Sequence, residues 1–346
     1  MGDPGVDEAM ASGRVPPVLT AYDLERNQDL SGIVGISVVA ALASLVVICR
    51  LASRKFLLKR FGLGLDDGVV LASFITFIPF VALCLALIRM GAGRTIPYID
   101  FVVGETEMEH IQILDSVTHL IYSTTLWLCR LSGLAFYYRI CALHREFVIA
   151  IAVILVVLTS GYLVQMCLII FHCNPITLLW VPYDEFGMPL DGNCLMWYVV
   201  YGTVSGISLF SDLLLFGLPV AMLKILDMPR KRKIQLACIL LPGFAVIAIS
   251  SARVAVVVKY GFEEFVTFDF AFIKLLIVEV AEVGSTLIAL SIPGVKPLVD
   301  KFILRKDIYA DTDSSRGPSN RGSIGSFSSS IRGLKQFERY DTQESV

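Results

Sequence analysis

Charged residues are scarce in this sequence. Only 17% of the 346 residues are Asp, Glu, Lys or Arg, and 55% are hydrophobic, whereas a typical soluble domain is about one quarter charged. This shortage excludes an ordinary soluble globular protein, a disordered chain and a small disulfide-rich scaffold. Basic and acidic side chains nearly cancel, with a net charge of −2, so the composition gives no reason to expect a nucleic-acid partner.

Long apolar runs occupy most of the chain. A helix needs about 20 mostly apolar residues to cross a bilayer, and seven runs come close to this length or exceed it. They lack the alternation of a membrane β-barrel, so we expect an all-α membrane protein with a seven-transmembrane helix bundle. The predicted spans are Gly32–Cys49, Gly68–Ile88, Val117–Tyr138, Phe147–Phe171, Leu195–Leu223, Ile234–Val258 and Ala271–Ile292.

The charges between the runs predict how the bundle is oriented. Lys and Arg concentrate in residues 50–67, in residues 224–233 and after the last run, and the positive-inside rule assigns these segments to the cytosol. The intervening segments are acidic and are expected outside, among them the one that contains Asp115. The alternation predicts an outside N-terminus and a cytosolic C-terminus.

This orientation divides the chain into three regions. Residues 1–31 form a polar extracellular N-terminal tail that lacks the apolar core of a signal peptide, and residues 32–306 form the transmembrane domain. Residues 307–346 are rich in Ser and poor in apolar residues, which predicts a disordered cytosolic tail. The tail is either simply solvated or a platform for phosphorylation.

Cys173 and Cys194 differ from the other cysteines because they lie in a predicted outward loop. That side of the membrane is oxidising, so we expect a disulfide bond between them; two free thiols near the interface are the alternative. The histidines show no metal-ligand spacing with one another, and no metal site is predicted. The four histidines are His110, His119, His144 and His172.

Several ionisable residues lie inside the predicted spans, where a charge is costly and normally pairs within the protein. Counted from the cytosolic ends at about 1.5 Å per residue, Arg130, Asp212 and Glu282 fall within about one helical turn of the same depth. Glu279 shares a helix face with Glu282. Arg253 is expected nearer the outer surface, where it either pairs with Glu279 or reaches the interface.

Two interpretations of this intramembrane cluster remain open. It is either a charge clamp that fixes the register of the helices, or part of a ligand pocket or proton-coupled switch. The second interpretation depends on the extra carboxylate. If Arg130 has only one partner, then Asp212 or Glu282 is left without one and tends to be protonated.

Short motifs follow one another in a fixed order along the predicted domain. They are the acidic pair Asp66-Asp67 before span two, the set Arg130, Ser132, Tyr137 and Arg139 in span three, the set Phe171, Cys173, Pro175 and Trp180 after span four, Asp212 with Pro219 in span five, and Glu282 with Pro293 in span seven. In this order and at these spacings they are similar to the motifs of the fungal rhodopsin-like seven-transmembrane integral membrane proteins. That family includes receptor-like proteins of plant-pathogenic fungi and membrane proteins encoded beside mycotoxin pathways.

The resemblance implies a rhodopsin-like domain and a receptor-like, multi-pass protein. The plasma membrane is the expected location, with an endomembrane as the alternative. A retinal cofactor is not expected, because a Schiff base needs a lysine mid-way along the last span. The only lysine there, Lys274, lies near its outer end. No other cofactor is predicted.

Three classes of function fit these features. We favour a receptor-like protein that senses an extracellular small-molecule or surface ligand and signals to a cytosolic partner. The alternative is a transporter or scaffold that serves a fungal secondary-metabolite pathway. An intramembrane enzyme acting through Asp212 or Glu282 is the third possibility. No nucleophile–base pair or metal motif supports it, so no catalytic residue is predicted.

Overall fold

The computed structural model describes residues 4–17, 19–57, 65–103, 105–141, 144–174, 193–225, 230–262 and 270–302. Within these ranges the chain forms seven long α-helices, three short ones and one π-helical turn, Ile88–Ala92, that directly follows α4. The long helices are α3 (Asp29–Leu57), α4 (Leu65–Leu87), α6 (Glu105–Cys141), α7 (Arg145–Phe171), α8 (Trp197–Ile225), α9 (Arg230–Phe262) and α10 (Ala271–Phe302). The short ones are α1 (Pro4–Ala11), α2 (Ala21–Glu25) and α5 (Ile96–Phe101). The predicted spans coincide with the long helices, which mostly extend beyond the apolar runs.

Six of the long helices are long and apolar enough to cross a membrane. The exception among the described residues is α6, the longest helix, which contains the predicted third span. It falls short because polar side chains such as Asp115, His119 and Arg130 interrupt its apolar sequence. These side chains are buried in the structure, so the polarity of α6 reflects what it carries inside the bundle.

The distribution of polarity is opposite to that of a soluble protein. Large apolar side chains such as Val156 and Phe244 are exposed, at 68% and 67%. Charged side chains such as Arg50, Arg253 and Glu282 are almost completely buried. Soluble proteins place these two classes the other way round. The arrangement suits a chain surrounded by lipid, where ionisable groups face the bundle interior.

Two apolar clusters pack the helices together. The larger lies among α3, α4, α6 and α10 and includes Ile36, Phe80, Leu126 and Val280. The smaller lies among α6, α7 and α8, around Leu158 and Met222. The most extensive contacts between helices join α4 to α6 and α8 to α9. Because α6 contributes residues to both apolar clusters, it lies between them.

The N-terminal residues are more ordered than the predicted polar tail. A capping box formed by Thr20 and Asp23 begins α2, and Leu24 of α2 is completely buried. The backbone N–H of Gln28 donates to the carbonyl oxygen of Gly93, at 3.0 Å. A Cβ atom at Gly93 would collide with the Asp29 side chain, so glycine is required for this close approach. The approach fixes the start of α3 against the end of α4.

A short antiparallel pair closes the segment between α7 and α8. Strand β1 (Cys173–Asn174) pairs with β2 (Asn193–Cys194), and a disulfide bond joins Cys173 to Cys194. The predicted disulfide is thus confirmed. Residues 175–192, which include the motif residue Trp180, and the Ser-rich segment 307–346 lie outside the described residues.

Candidate functional site

Polar side chains from four helices converge in the interior of the bundle. On α8, Ser205, Ser208 and Asp212 follow one another at spacings of three and four residues, so they share one helix face. Ser250 and Arg253 on α9 are three residues apart, as are Glu279 and Glu282 on α10. Each helix therefore turns a polar stripe inward. We call the set Arg130, Ser208, Asp212, Ser250, Arg253 and Glu282 the central network.

Arg130 joins α6 to α8. Its Nε donates to Oδ1 of Asp212 at 2.9 Å. Its Nη2 donates to the backbone carbonyl of Ser208 at 3.0 Å and to the Ser208 hydroxyl. Both charged side chains are 5% exposed. The planar guanidinium thus binds two residues that lie one turn apart on α8, which is a geometry that an ammonium group cannot reproduce.

Glu282 is the most connected acid of the central network and is completely buried. Its Oε2 accepts from the Tyr122 hydroxyl at 2.6 Å and from Nη1 of Arg253 at 3.1 Å. Its Oε1 lies 3.1 Å from the Ser208 hydroxyl and 2.9 Å from the Ser250 hydroxyl. Because Ser250 is also 2.6 Å from Oδ2 of Asp212, its hydroxyl connects the two carboxylates, whereas the Ser208 hydroxyl connects Glu282 to Arg130.

The charges of the central network balance, which corrects two expectations. Arg253 pairs with Glu282, not with Glu279, and lies over the Tyr122 ring at 5.0 Å instead of reaching the interface. Glu282 therefore has its own cation, and no acid of the network is left without a partner. The pairing of Arg253 with Glu282 does not follow from the sequence, because the predicted depth of Arg253 lies too near the outer surface.

Glu279 belongs to a second polar group, away from Arg253. Its Oε1 lies 3.1 Å from Nε2 of His119, and Nδ1 of His119 lies 3.0 Å from the backbone carbonyl of Asp115. The Tyr201 hydroxyl donates to Oδ2 of Asp115 at 2.7 Å. We call Asp115, His119, Tyr201 and Glu279 the histidine cluster. Asp115 was expected in an outside loop, but it is a buried residue of α6.

The sequence contains a signal that could have located the histidine cluster. Asp115, His119, Tyr122 and Arg130 recur at helical spacing along one side of α6. Such a stripe of polar residues in an otherwise apolar helix marks a face turned toward other polar groups. The acidic character of the segment around Asp115 favours a loop, which hides this stripe. Among the described residues, no group of three or more His, Cys, Asp or Glu side chains is arranged so that it could hold a metal ion.

A third cluster lies at the end of the bundle where α3 stops and α4 begins. Arg50 of α3 donates to Oδ1 of Asp67 from Nε and Nη2, at 3.0 and 2.9 Å, and to Oδ2 of Asp66 at 3.1 Å. It also donates to the backbone carbonyl of Leu290 on α10. Arg50 was assigned to an exposed basic segment, yet it is 2% exposed. We call Arg50, Asp66 and Asp67 the Arg50 cluster.

The motif residues of the predicted third span also reach the Arg50 cluster. The Ser132 hydroxyl donates to the backbone carbonyl of Asp66 at 3.3 Å. Nη1 of Arg139 lies 3.4 Å from Oδ1 of Asp66. The acidic pair and two residues of the next motif, separated by more than sixty positions, thus meet in one place. They link α3, α4, α6 and α10.

A cavity of about 90 Å³ opens between α6, α8, α9 and α10. Arg130 and Asp212 of the central network line it, and Tyr137, Pro219 and Pro293 line it further along the helices toward the Arg50 cluster. The cavity is thus lined by motif residues of the predicted third, fifth and seventh spans. Its wall is otherwise mostly apolar, so the central network forms a polar end to an apolar space.

The motif residues fall within a region that matches a known family. A profile described as the fungal rhodopsin domain matches residues 49–301. The chain belongs to the fungal rhodopsin family. With six helices that are able to cross a bilayer, it is a multi-pass membrane protein. No curated protein and no solved structure matches this chain. The central network, the Arg50 cluster and the cavity all lie within the rhodopsin domain.

Proposed function

We propose that this fungal rhodopsin-domain protein is a receptor-like sensor of the plasma membrane. An extracellular ligand would shift the helices, and a cytosolic partner would read the shift at the opposite end. The observation that carries this proposal is the central network, which ties α6, α8, α9 and α10 together directly beside the cavity. The Arg50 cluster also links four helices, but only the central network contains both carboxylates and both arginines in the interior at the polar end of the cavity.

The central network has the properties of a two-state element. The Ser250 hydroxyl has one hydrogen, so it can donate to Asp212 or to Glu282 but not to both at once. Small changes in helix position would move that hydrogen bond from α8 to α10. Buried ion pairs also rearrange between discrete states, because an intermediate with an unpaired charge in low dielectric is costly.

The helices that would move are α8 and α9. They pack extensively on each other, whereas α3, α4, α6 and α10 are fastened by the Arg50 cluster. Pro219 in α8 and Pro242 in α9 interrupt the hydrogen-bond ladders of these two helices, and such positions favour bending. A joint movement of α8 and α9 would change the width of the cavity, which the partner would detect.

The topology that we propose has seven spans, with α6 as the third, an outside N-terminus and a cytosolic C-terminus. The burial of the polar side chains of α6 supports its inclusion, since hydropathy alone underestimates a helix whose polar face is covered. Epitope tags at the two termini test the topology. We expect an N-terminal tag to be accessible in intact cells and a C-terminal tag only after permeabilisation. The reverse pattern would contradict the proposal.

Distance measurements between spin labels test the switch. Tyr138 of α6 and Leu241 of α9 are 52% and 79% exposed and lie toward the cavity end. Each can be replaced by a labelled cysteine in a parent protein in which Cys49, Cys167 and Cys238 are serine. We expect Ser250→Ala to shift the distance distribution in nanodiscs, because the bridging hydroxyl is lost. Ser251→Ala is the control, since its exposed hydroxyl only donates to the carbonyl of Ile247. Identical distributions for Ser250→Ala and the parent protein would contradict the switch.

A transporter is the second candidate, favoured by the polar side chains that run from the histidine cluster to the cavity. Alternating access requires opposite changes at the two ends of the bundle. Labels at Ile113 of α6 and Val258 of α9, which are 38% and 48% exposed, report on the other end. A reciprocal change there would favour transport. The proposal includes no catalytic step and no retinal.

A further inference from the structure

His119 lies between two carboxyl-bearing residues at the end of the interior that is remote from the cavity. Its Nε2 is 3.1 Å from Oε1 of Glu279 on α10, and its Nδ1 is 3.0 Å from the backbone carbonyl of Asp115. His119, Glu279 and Asp115 are all more than nine-tenths buried. The imidazole is therefore a direct link between α6 and α10.

The positions of the hydrogens in this link follow from the acceptors. Nδ1 lies 3.0 Å from the Asp115 carbonyl oxygen and 3.4 Å from Oδ1 of Asp115, and both of these oxygens accept. The Tyr201 hydroxyl, 3.4 Å from Nδ1, gives its one hydrogen to Oδ2 of Asp115, so we infer that Nδ1 carries a hydrogen. Nε2 faces a carboxyl oxygen, and this contact is a hydrogen bond only when a proton lies between the two atoms. That proton belongs either to an imidazolium or to a neutral Glu279. Without it, a nitrogen lone pair would face a carboxylate at 3.1 Å in a buried site.

Among the described residues, the recorded polar contacts of His119 are with Asp115, Tyr201 and Glu279. Tyr201 of α8 satisfies Oδ2 of Asp115. Two further carboxyl oxygens, Oδ1 of Asp115 and Oε2 of Glu279, are buried without a hydrogen-bond partner among the described residues. The cluster thus has more acceptors than donors. The titratable groups around His119 are Cys84 on α4, Asp115 on α6, His172 on α7, Tyr201 on α8 and Glu279 on α10.

A small cavity reaches the histidine cluster from the side of α7 and α8. It has a volume of about 30 Å³, and His119, Tyr201, Ser116 and His172 contribute to its lining. This is room for about two water molecules. His172 precedes the disulfide-bonded Cys173, so the cavity lies toward the end of the bundle where that disulfide is found. Water in the cavity would give protons a route to His119.

We propose that His119 and Glu279 form a proton-binding site that fastens α6 to α10. When the shared proton is bound, the link is closed. When it is lost as the pH rises, the link opens and Glu279 is released. Glu282 lies on the same face of α10, so this release acts on the helix that carries the central network. In the topology proposed above, this end of the bundle faces outward. The response of the site to external pH rests on that proposed topology.

Thermal unfolding across a pH series tests the site. We expect the melting temperature of the parent protein in nanodiscs to fall in one step as the pH rises from about 5 to about 9. Glu279→Gln should lose that step, because its amide donates to a neutral Nε2 at every pH. The control is His110→Gln, which removes an exposed histidine from the same helix and should retain the step. A parent protein without the step, or Glu279→Gln with an unchanged step, would overturn the proposal.

Magnetic resonance of protein labelled at the histidine ring nitrogens keeps the proposal testable if Glu279→Gln fails to fold. We expect the Nε2 signal that disappears in His119→Gln to shift with the same pH step, and a signal that stays constant would overturn the proposal. The terminal tags decide the side of the membrane separately. If the tags show the reverse topology and the melting step is still present, only the link to external pH is contradicted. If the tags show the proposed topology and the melting step is absent, only the proton-binding site is contradicted.

Discussion

Replacing Arg130 with alanine is expected to destabilise the folded protein by about 3–5 kcal/mol, the usual cost of removing one member of a buried ion pair. The change leaves the buried carboxylate of Asp212 without its cation and the Ser208 carbonyl without its donor. Two carboxylates, Asp212 and Glu282, then share one cation, Arg253. The loss should appear as a lower melting temperature of the detergent-solubilised protein.

Arg130→Lys should fall between the parent protein and Arg130→Ala. The ammonium group retains the charge but cannot bind Asp212 and Ser208 together in the way the guanidinium does. Arg145→Ala is the matched control, since Arg145 is an exposed residue at the start of α7 and its loss should change stability by less than about 0.5 kcal/mol. Equal stability of Arg130→Ala and Arg130→Lys would show that the charge of Arg130 contributes nothing.

Replacing Arg50 with alanine should have a comparable effect, again about 3–5 kcal/mol. Asp66 and Asp67 are adjacent and almost completely buried, so the loss of Arg50 leaves two like charges close together. It also removes the donor to the Leu290 carbonyl, which links α3 to α10. We expect Arg50→Ala to have a lower melting temperature than the parent protein. We also expect faster proteolysis at the end of the bundle that contains the Arg50 cluster.

Two further variants make the Arg50 experiment specific. Arg50→Ala combined with Asp67→Asn should recover part of the lost stability, because it removes one of the two adjacent like charges that Arg50 normally neutralises. Arg89→Ala should be close to neutral, since Arg89 is an exposed residue that follows the opposite end of α4. If Arg50→Ala were as stable as Arg89→Ala, the buried contacts of Arg50 with the acidic pair would carry no stability.

The depth of the charged residues could be read from the sequence because the rise of a helix is fixed at about 1.5 Å per residue. Counting from the basic ends placed Arg130, Asp212 and Glu282 at one level, and the structure joins them through Ser208 and Ser250. The helical character of the spans followed from their length in the same way. These predictions depend on distances along one helix, which the sequence contains.

Contacts between helices could not be derived in the same way. Nothing in the order of residues states that α9 turns Arg253 toward Glu282 and away from Glu279. The same reason explains why Arg50 was assigned to solvent, since a basic residue at the end of a span is usually exposed. Its acidic partners, Asp66 and Asp67, come from a neighbouring helix whose position follows only from packing.

The coupling between Arg253 and Glu282 tests the central network most directly. Thermal unfolding of Arg253→Gln, Glu282→Gln and the double variant gives their interaction energy, and a second cycle replaces Glu282→Gln with Glu279→Gln. The balanced network predicts that the first double variant is more stable than the sum of its single changes by at least about 1 kcal/mol, with a smaller coupling in the second cycle. Additive effects in the first cycle, or equal coupling in both, would contradict it.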